Sequence, residues 1–193
     1  LVIVTSDHGE SLTEHDIYFD HHGLYDCTLR VPFVCRWPTG GWIGGHIIPQ
    51  LVLHTDLASS LLELAGASIP EGLEGKSLLP LVRDASEIGK SSQNDSNKHR
   101  QTTVKLYDRL IAEECTWQAK WAIRTNEYKF ILSREPDLHG KPMKELYNLK
   151  ADPMEVYNIA SEHPEVSTAL ESELEEWIHQ MLVKNSLIED PLR

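Results

Sequence analysis

Two short clusters carry the residue types able to do chemistry. The first is Thr5-Ser6-Asp7-His8-Gly9-Glu10. Asp7 offers a carboxylate and His8 an imidazole nitrogen, and Gly9 permits a bend tight enough for both to face one divalent ion. Two adjacent ligands are half a metal site, so the others must come from elsewhere. The same pair also reads as a loop with a helix cap. The second cluster is Phe19-Asp20-His21-His22-Gly23-Leu24-Tyr25-Asp26. Two histidines beside an acid suit proton transfer or anion binding, since imidazole titrates near pH ~6.5. Metal ligation and plain loop decoration are the competing readings.

Both clusters need elements to position them. Leu1-Val2-Ile3-Val4-Thr5 is a β-branched run that reads as a strand buried on both faces, as in a parallel sheet, with the Asp-His pair at its carboxyl end, where such sheets bind ligands. A chain opening inside a core strand is expected to be the C-terminal part of a longer protein. Arg30 to Trp37 reads as a second strand, with Pro32 near its start. A helix capped by Asp56 or Thr55 carries Leu57, Leu61, Leu62 and Leu64 and stops at Gly66. Residues 83–105 turn polar and are expected to be a loop or insertion. Beyond them come strand-like pieces at 110–112, 121–125, 128–132 and 145–149, with a hairpin turn at Thr125-Asn126-Glu127. Val166, Leu170, Leu174, Ile178 and Leu182 then recur every four residues after Pro164, which predicts a helix packed on that small sheet.

Composition narrows the function classes. There are 18 Lys+Arg against 30 Asp+Glu, a net charge of −12, which argues against a nucleic-acid partner. No run of eighteen apolar residues spans a membrane. Three cysteines, Cys27, Cys35 and Cys115, make no disulfide framework and favour a reducing, cytoplasmic compartment.

The ordered set of motifs resembles the C-terminal part of a sulfatase of the alkaline phosphatase superfamily. Ser6-Asp7-His8-Gly9, then Tyr25-Asp26, then Arg30-Val31-Pro32 follow that family's order. His54-Thr55-Asp56-Leu57 through Leu64-Ala65-Gly66 is similar to its Asp-capped helix, and Gly75-Lys76-Ser77-Leu78-Leu79-Pro80 to the segment after it. Arg124-Thr125, Tyr128-Lys129, Glu145 to Leu149 and Asp152-Pro153 resemble the family's last subdomain.

The resemblance implies a fold, a reaction and a site. The fold is α/β: the C-terminal portion of an alkaline-phosphatase-like sandwich (1–82), the polar stretch (83–105), and a small antiparallel-sheet subdomain with a C-terminal helix (106–193). The reaction is metal-dependent hydrolysis of a sulfate ester on a small anionic substrate. Asp7 and His8 match metal ligands; calcium is the family's usual ion, and the His8 nitrogen keeps manganese and zinc open. His21 stands where many sulfatases place a lysine that contacts sulfate and protonates the leaving oxygen; His22 is the alternative occupant of that role. His15 could touch substrate. Trp117 and Lys120, near Trp121, could line its pocket, or the tryptophans could anchor the small sheet. The family's Cys/Ser-x-Pro-x-Arg motif, whose Cys or Ser becomes formylglycine, is missing from these 193 residues. The nucleophile is therefore expected upstream, with this stretch inactive alone. A phosphodiesterase or phosphonate monoester hydrolase of the same superfamily, and a non-catalytic scaffold, are the alternatives.

Overall fold

The computed structural model describes residues 1–42, 45–92 and 104–192. They group into two compact units: Leu1–Val4 with Val34–Asp108, and Thr5–Phe33 with Arg109–Arg193. Both chemical clusters thus lie in the same compact unit as the small C-terminal sheet.

In the first unit, β1 (Val2–Thr5) and β2 (Phe33–Arg36) form a two-stranded sheet. β1 is not buried on both faces: Val2 and Val4 are 63% and 58% exposed, because among the described residues β2 is its one strand neighbour. The expected helix is α2 (Thr55–Leu64), and it docks differently from its apolar pattern. Asp56, Ser59 and Ser60 are its buried residues, while Leu61 is exposed. Ser59 Oγ donates to the Gly75 carbonyl at 2.5 Å, and Ser60 Oγ accepts from the Leu78 amide at 2.8 Å. Asp56 does not cap the helix in the ordinary way; its carboxylate gathers the amides of Leu53 and Lys76 and the hydroxyl of Tyr107. Gly75 is required there, since a Cβ on it would lie 2.0 Å from the Thr55 carbonyl oxygen. Gly66, at φ +69°, ends the helix as expected. α3 (Leu79–Ser92) follows, so the polar stretch expected from residue 83 is helical through Ser92; residues 93–103 lie outside the described residues.

The second unit is built on an antiparallel sheet in the order β3 (Leu110–Glu114), β4 (Lys120–Arg124), β5 (Tyr128–Ser133), β6 (Lys144–Asn148). Period-2 alternation gives it two different faces. Trp121, Ile123, Phe130, Leu132 and Leu146 pack against Leu170, Leu174 and Ile178 of α4 (Pro164–Lys184). Every one of those eight residues is at most 8% exposed, so the four-residue apolar spacing does name the packed face. On the other face Ala122, Ile131 and Tyr147 meet Ile17, Leu24 and Tyr25 from the segment carrying the chemical clusters. Among the described residues no helix is long and apolar enough to cross a membrane.

Candidate active site

The Asp-His pair is held by its own backbone. Ser6 Oγ donates to the His8 carbonyl at 2.6 Å, and the His8 amide donates to Asp7 Oδ1 at 3.0 Å, which keeps the Asp7 carboxyl below its ordinary range. Gly9 explains why the bend needs a glycine: a Cβ there would sit 2.0 Å from the Cys27 carbonyl oxygen, and the Gly9 amide donates to the Thr28 carbonyl at 2.8 Å. The loop is thereby pinned to the short helix α1 (Asp26–Leu29).

His8 Nδ1 lies 2.7 Å from the Gly9 carbonyl, and that hydrogen bond raises the imidazole pKa. A carbonyl can only accept, so Nδ1 carries the proton and Nε2 presents its lone pair. Asp7 Oδ2 is 3.7 Å from that Nε2. A carboxylate oxygen and a nitrogen lone pair this close, both reaching solvent, are a donor set that fits a divalent cation.

The His21 side is brought in by a β-bridge between Ser11 and Asp20, with hydrogen bonds of 2.9 and 3.2 Å. It closes the neck of the 11–20 loop and leaves Glu10 and His21 flanking it. The His21 ring stacks on His8 at 4.1 Å and 20°, and its Nδ1 is 3.7 Å from both Glu10 Oε2 and Asp20 Oδ1. Asp7, His8, Glu10 and His21 therefore form one exposed cluster, His21 with 57% of its side chain open. Glu10 belongs to it through a neck that no regular hairpin pattern in residues 11–20 announces; its place two residues after His8 is the one hint in the sequence.

His22 stands behind. Its side chain is 11% exposed, its Nδ1 faces Asp20 Oδ2 at 3.4 Å, long for a hydrogen bond, and its Nε2 meets His139 Nε2 at 3.1 Å. Two imidazole nitrogens at that distance share one proton: one must donate and the other accept. Trp117 is 57% exposed, with its ring 5.9 Å from that of His22, so it is no core anchor; Trp121, at 6%, is. Lys120 turns the other way. It is 3% exposed, paired with Asp137 and 3.8 Å from Glu145, out of reach of a substrate in solution. Asp137 in turn accepts the His139 amide at 2.7 Å, so Lys120 supports the loop that bears His139. His15 lies flat on Tyr25 at 3.6 Å, and burial, with Lys141 and Lys129 nearby, lowers its pKa to about 4. It is neutral near pH 7 and brings no positive charge to an anion.

A buried polar network joins the Tyr25-Asp26 motif to the Arg124, Lys129 and Glu145–Tyr147 motif residues. Tyr25 and Tyr147 donate to Glu145 at 2.8 and 2.5 Å. Asp26 accepts from Arg124 at 3.0 Å and from Lys129 at 2.6 Å, and Lys129 also holds Glu155 at 2.6 Å. The aromatic-acidic motif Tyr25-Asp26 is thus the clamp that fastens the site loop to the charged face of the sheet.

The family model for N-sulphoglucosamine sulphohydrolase, C-terminal, matches residues 13–181. Arylsulfatase K of Bos taurus is 29% identical over 187 residues, covering 97% of this chain and 32% of that protein. A protein solved in complex with its substrate D-glucosamine-2-N,6-O-disulfate superposes with a TM-score of 0.73 at 25% identity, over 92% of this chain and 34% of that one. The phosphonate monoester hydrolase of Agrobacterium radiobacter, at 21% identity and a TM-score of 0.61 over 92% and 34%, shares the fold. The chain spans about a third of the length of the curated relatives it matches.

Proposed function

Because the chain belongs to the N-sulphoglucosamine sulphohydrolase C-terminal family, and so is the C-terminal portion of a sulfatase, we propose that it supplies half of the active site for hydrolysis of a carbohydrate sulfate ester. The observation that carries this reading is the convergence of Asp7 Oδ2 and the proton-free Nε2 of His8 at 3.7 Å, in a loop where Gly9 alone fits. Asp7 and His8 would hold a divalent cation, calcium being the family's usual ion. When bound, such an ion lowers the charge on the sulfate oxygens and favours the nucleophile's ionised form.

The chain's own residues do the rest. His21, exposed and flanked by Glu10 and Asp20, donates a proton to the departing ester oxygen. His22, tied to His139 and mostly buried, does not reach the substrate itself. Trp117 offers an exposed aromatic face of the kind sugar rings stack on. The sugar preference is supported by the neighbour's disulfated glucosamine. The nucleophile comes from residues outside these 193, and the chain alone is inactive.

The test uses the full-length protein. Asp7→Ala and His8→Ala should each lose bound cation and sulfate-ester turnover together, measured by elemental analysis and product release. His21→Ala should slow esters with poor leaving groups more than activated aryl sulfates. Unchanged metal content in both ligand variants would overturn the assignment. Faster hydrolysis of phosphonate monoesters than of sulfates would favour the enzyme class that shares this fold.

A further inference from the structure

We propose that His8, Glu10 and His21 form a transition-metal clasp on this face, which shares His8 with the calcium position, so that zinc-like ions compete with calcium for it. One ligand atom from each residue lies within 4.8 Å of the other two. The fold places them so: the Ser11–Asp20 bridge sets Glu10 and His21 side by side, and the Gly9 bend brings His8 beneath the His21 ring. The hydrogen bond from His8 Nδ1 to the Gly9 carbonyl leaves Nε2 as a donor, and holds the ring as backbone carbonyls commonly hold metal-bound histidines. Asp7 Oδ2, 3.7 Å from that Nε2, is available as a further oxygen.

The donor types decide the ion. Two imidazoles and a carboxylate are a set that zinc, cobalt and nickel take, whereas calcium prefers oxygen throughout. His21 is the residue that makes the difference. A lysine, which many sulfatases carry there, is protonated near neutrality and has no lone pair to give; an imidazole has one. The stacked rings must open for both nitrogens to meet one ion, and His21, with 57% of its side chain exposed, has room to turn. Coordination uses the same Nδ1 lone pair that would otherwise carry a proton, so an ion in the clasp displaces that proton to solvent. Zinc is therefore an inhibitor that disarms His21. This consequence rests on the sulfatase reading; the binding itself does not.

The experiment titrates zinc into the calcium-free full-length protein, by calorimetry, with cobalt as a spectroscopic probe. One site is expected, with visible cobalt bands, and His21→Lys and Glu10→Gln should each weaken zinc by about 10–100-fold. Circular dichroism establishes that both variants are folded. If His21→Lys and Glu10→Gln bind zinc as the parent does, the clasp is refuted. If binding instead vanishes only with Asp7→Ala, zinc is merely occupying the calcium position and the proposal also falls. Zinc binding that depends on His21, in a protein that hydrolyses no sulfate, would support the clasp while refuting the sulfatase reading.

Discussion

Two residues of the site loop make demands that can be measured singly. Gly9 is fixed by space: its missing side chain leaves room for the Cys27 carbonyl, which a Cβ would approach to 2.0 Å. Gly9→Ala must push the loop off α1 and strain its hydrogen bond to Thr28, at a cost of about 1–3 kcal/mol. Chemical denaturation should register that loss, and cation affinity should fall with it, since the loop aims Asp7 and His8. His15 makes an electrostatic demand. Burial first, then Lys141 and Lys129, bring its folded pKa to about 4, against 6.5 for the free group. The unfolded chain therefore binds the proton more readily between those values. Stability is complete above pH 6.5 and drains as pH falls toward 4, by on the order of 2 kcal/mol once the screening by solvent at the ring's open edge is discounted. His15→Phe keeps the stack on Tyr25 and should flatten that segment of the stability profile. An unchanged slope in the His15→Phe variant would assign the acid sensitivity to other groups.

At the scale of elements, legibility in the sequence followed the kind of burial. Strands β3 to β6 and helix α4 were readable because their packed faces are apolar and periodic: Trp121, Ile123, Phe130 and Leu132 alternate, and Leu170, Leu174 and Ile178 repeat at helical spacing. Asp7 and His8 are adjacent in the sequence, and the fold sets Asp7 Oδ2 3.7 Å from His8 Nε2. The opposite sheet face was not readable, since Lys120, Lys129 and Glu145 look like solvent residues until partners distant in the chain enclose them. The same holds for α2, whose buried face is two serines and an aspartate bonded to backbone that is distant in sequence. Glu10 and His21 were paired by a bridge with no turn motif. This buried charge has a consequence. Lys129 is fully enclosed between Asp26 and Glu155, so Lys129→Met leaves Glu155 without its cation and Asp26 with Arg124 alone. Breaking such a set by removing one member costs about 3–5 kcal/mol. The exposed pair Lys150–Glu127, at 64% and 45% exposure, is worth about 1 kcal/mol at most. Urea denaturation of Lys129→Met and Lys150→Met should differ accordingly. Equal effects would mean the Asp26 clamp does not hold the sheet to the site loop.

For the whole molecule, charge sets the terms on which any ligand arrives. At −12 the chain repels anions and attracts cations at long range, while the site itself gathers Asp7, Glu10 and Asp20 around two imidazoles. On the proposed sulfatase reading, a sulfate ester would approach such a surface only where positive charge has been brought in locally, which would make cation binding the first event and anion binding its dependent. Salt separates the two. Raising ionic strength shortens the screening length from about 30 Å at 0.01 M to about 8 Å at 0.15 M. The cation loses the attraction of the distant carboxylates and should bind several-fold more weakly, an effect read by calorimetry in a chloride series. Inorganic sulfate, added to the cation-loaded protein, loses repulsion instead and should bind more tightly over the same series. Opposite signs of the two salt slopes are the expected result. Should both affinities fall in parallel, the global charge does not govern access, and the positive field at the site must come from the residues His8 and His21 themselves.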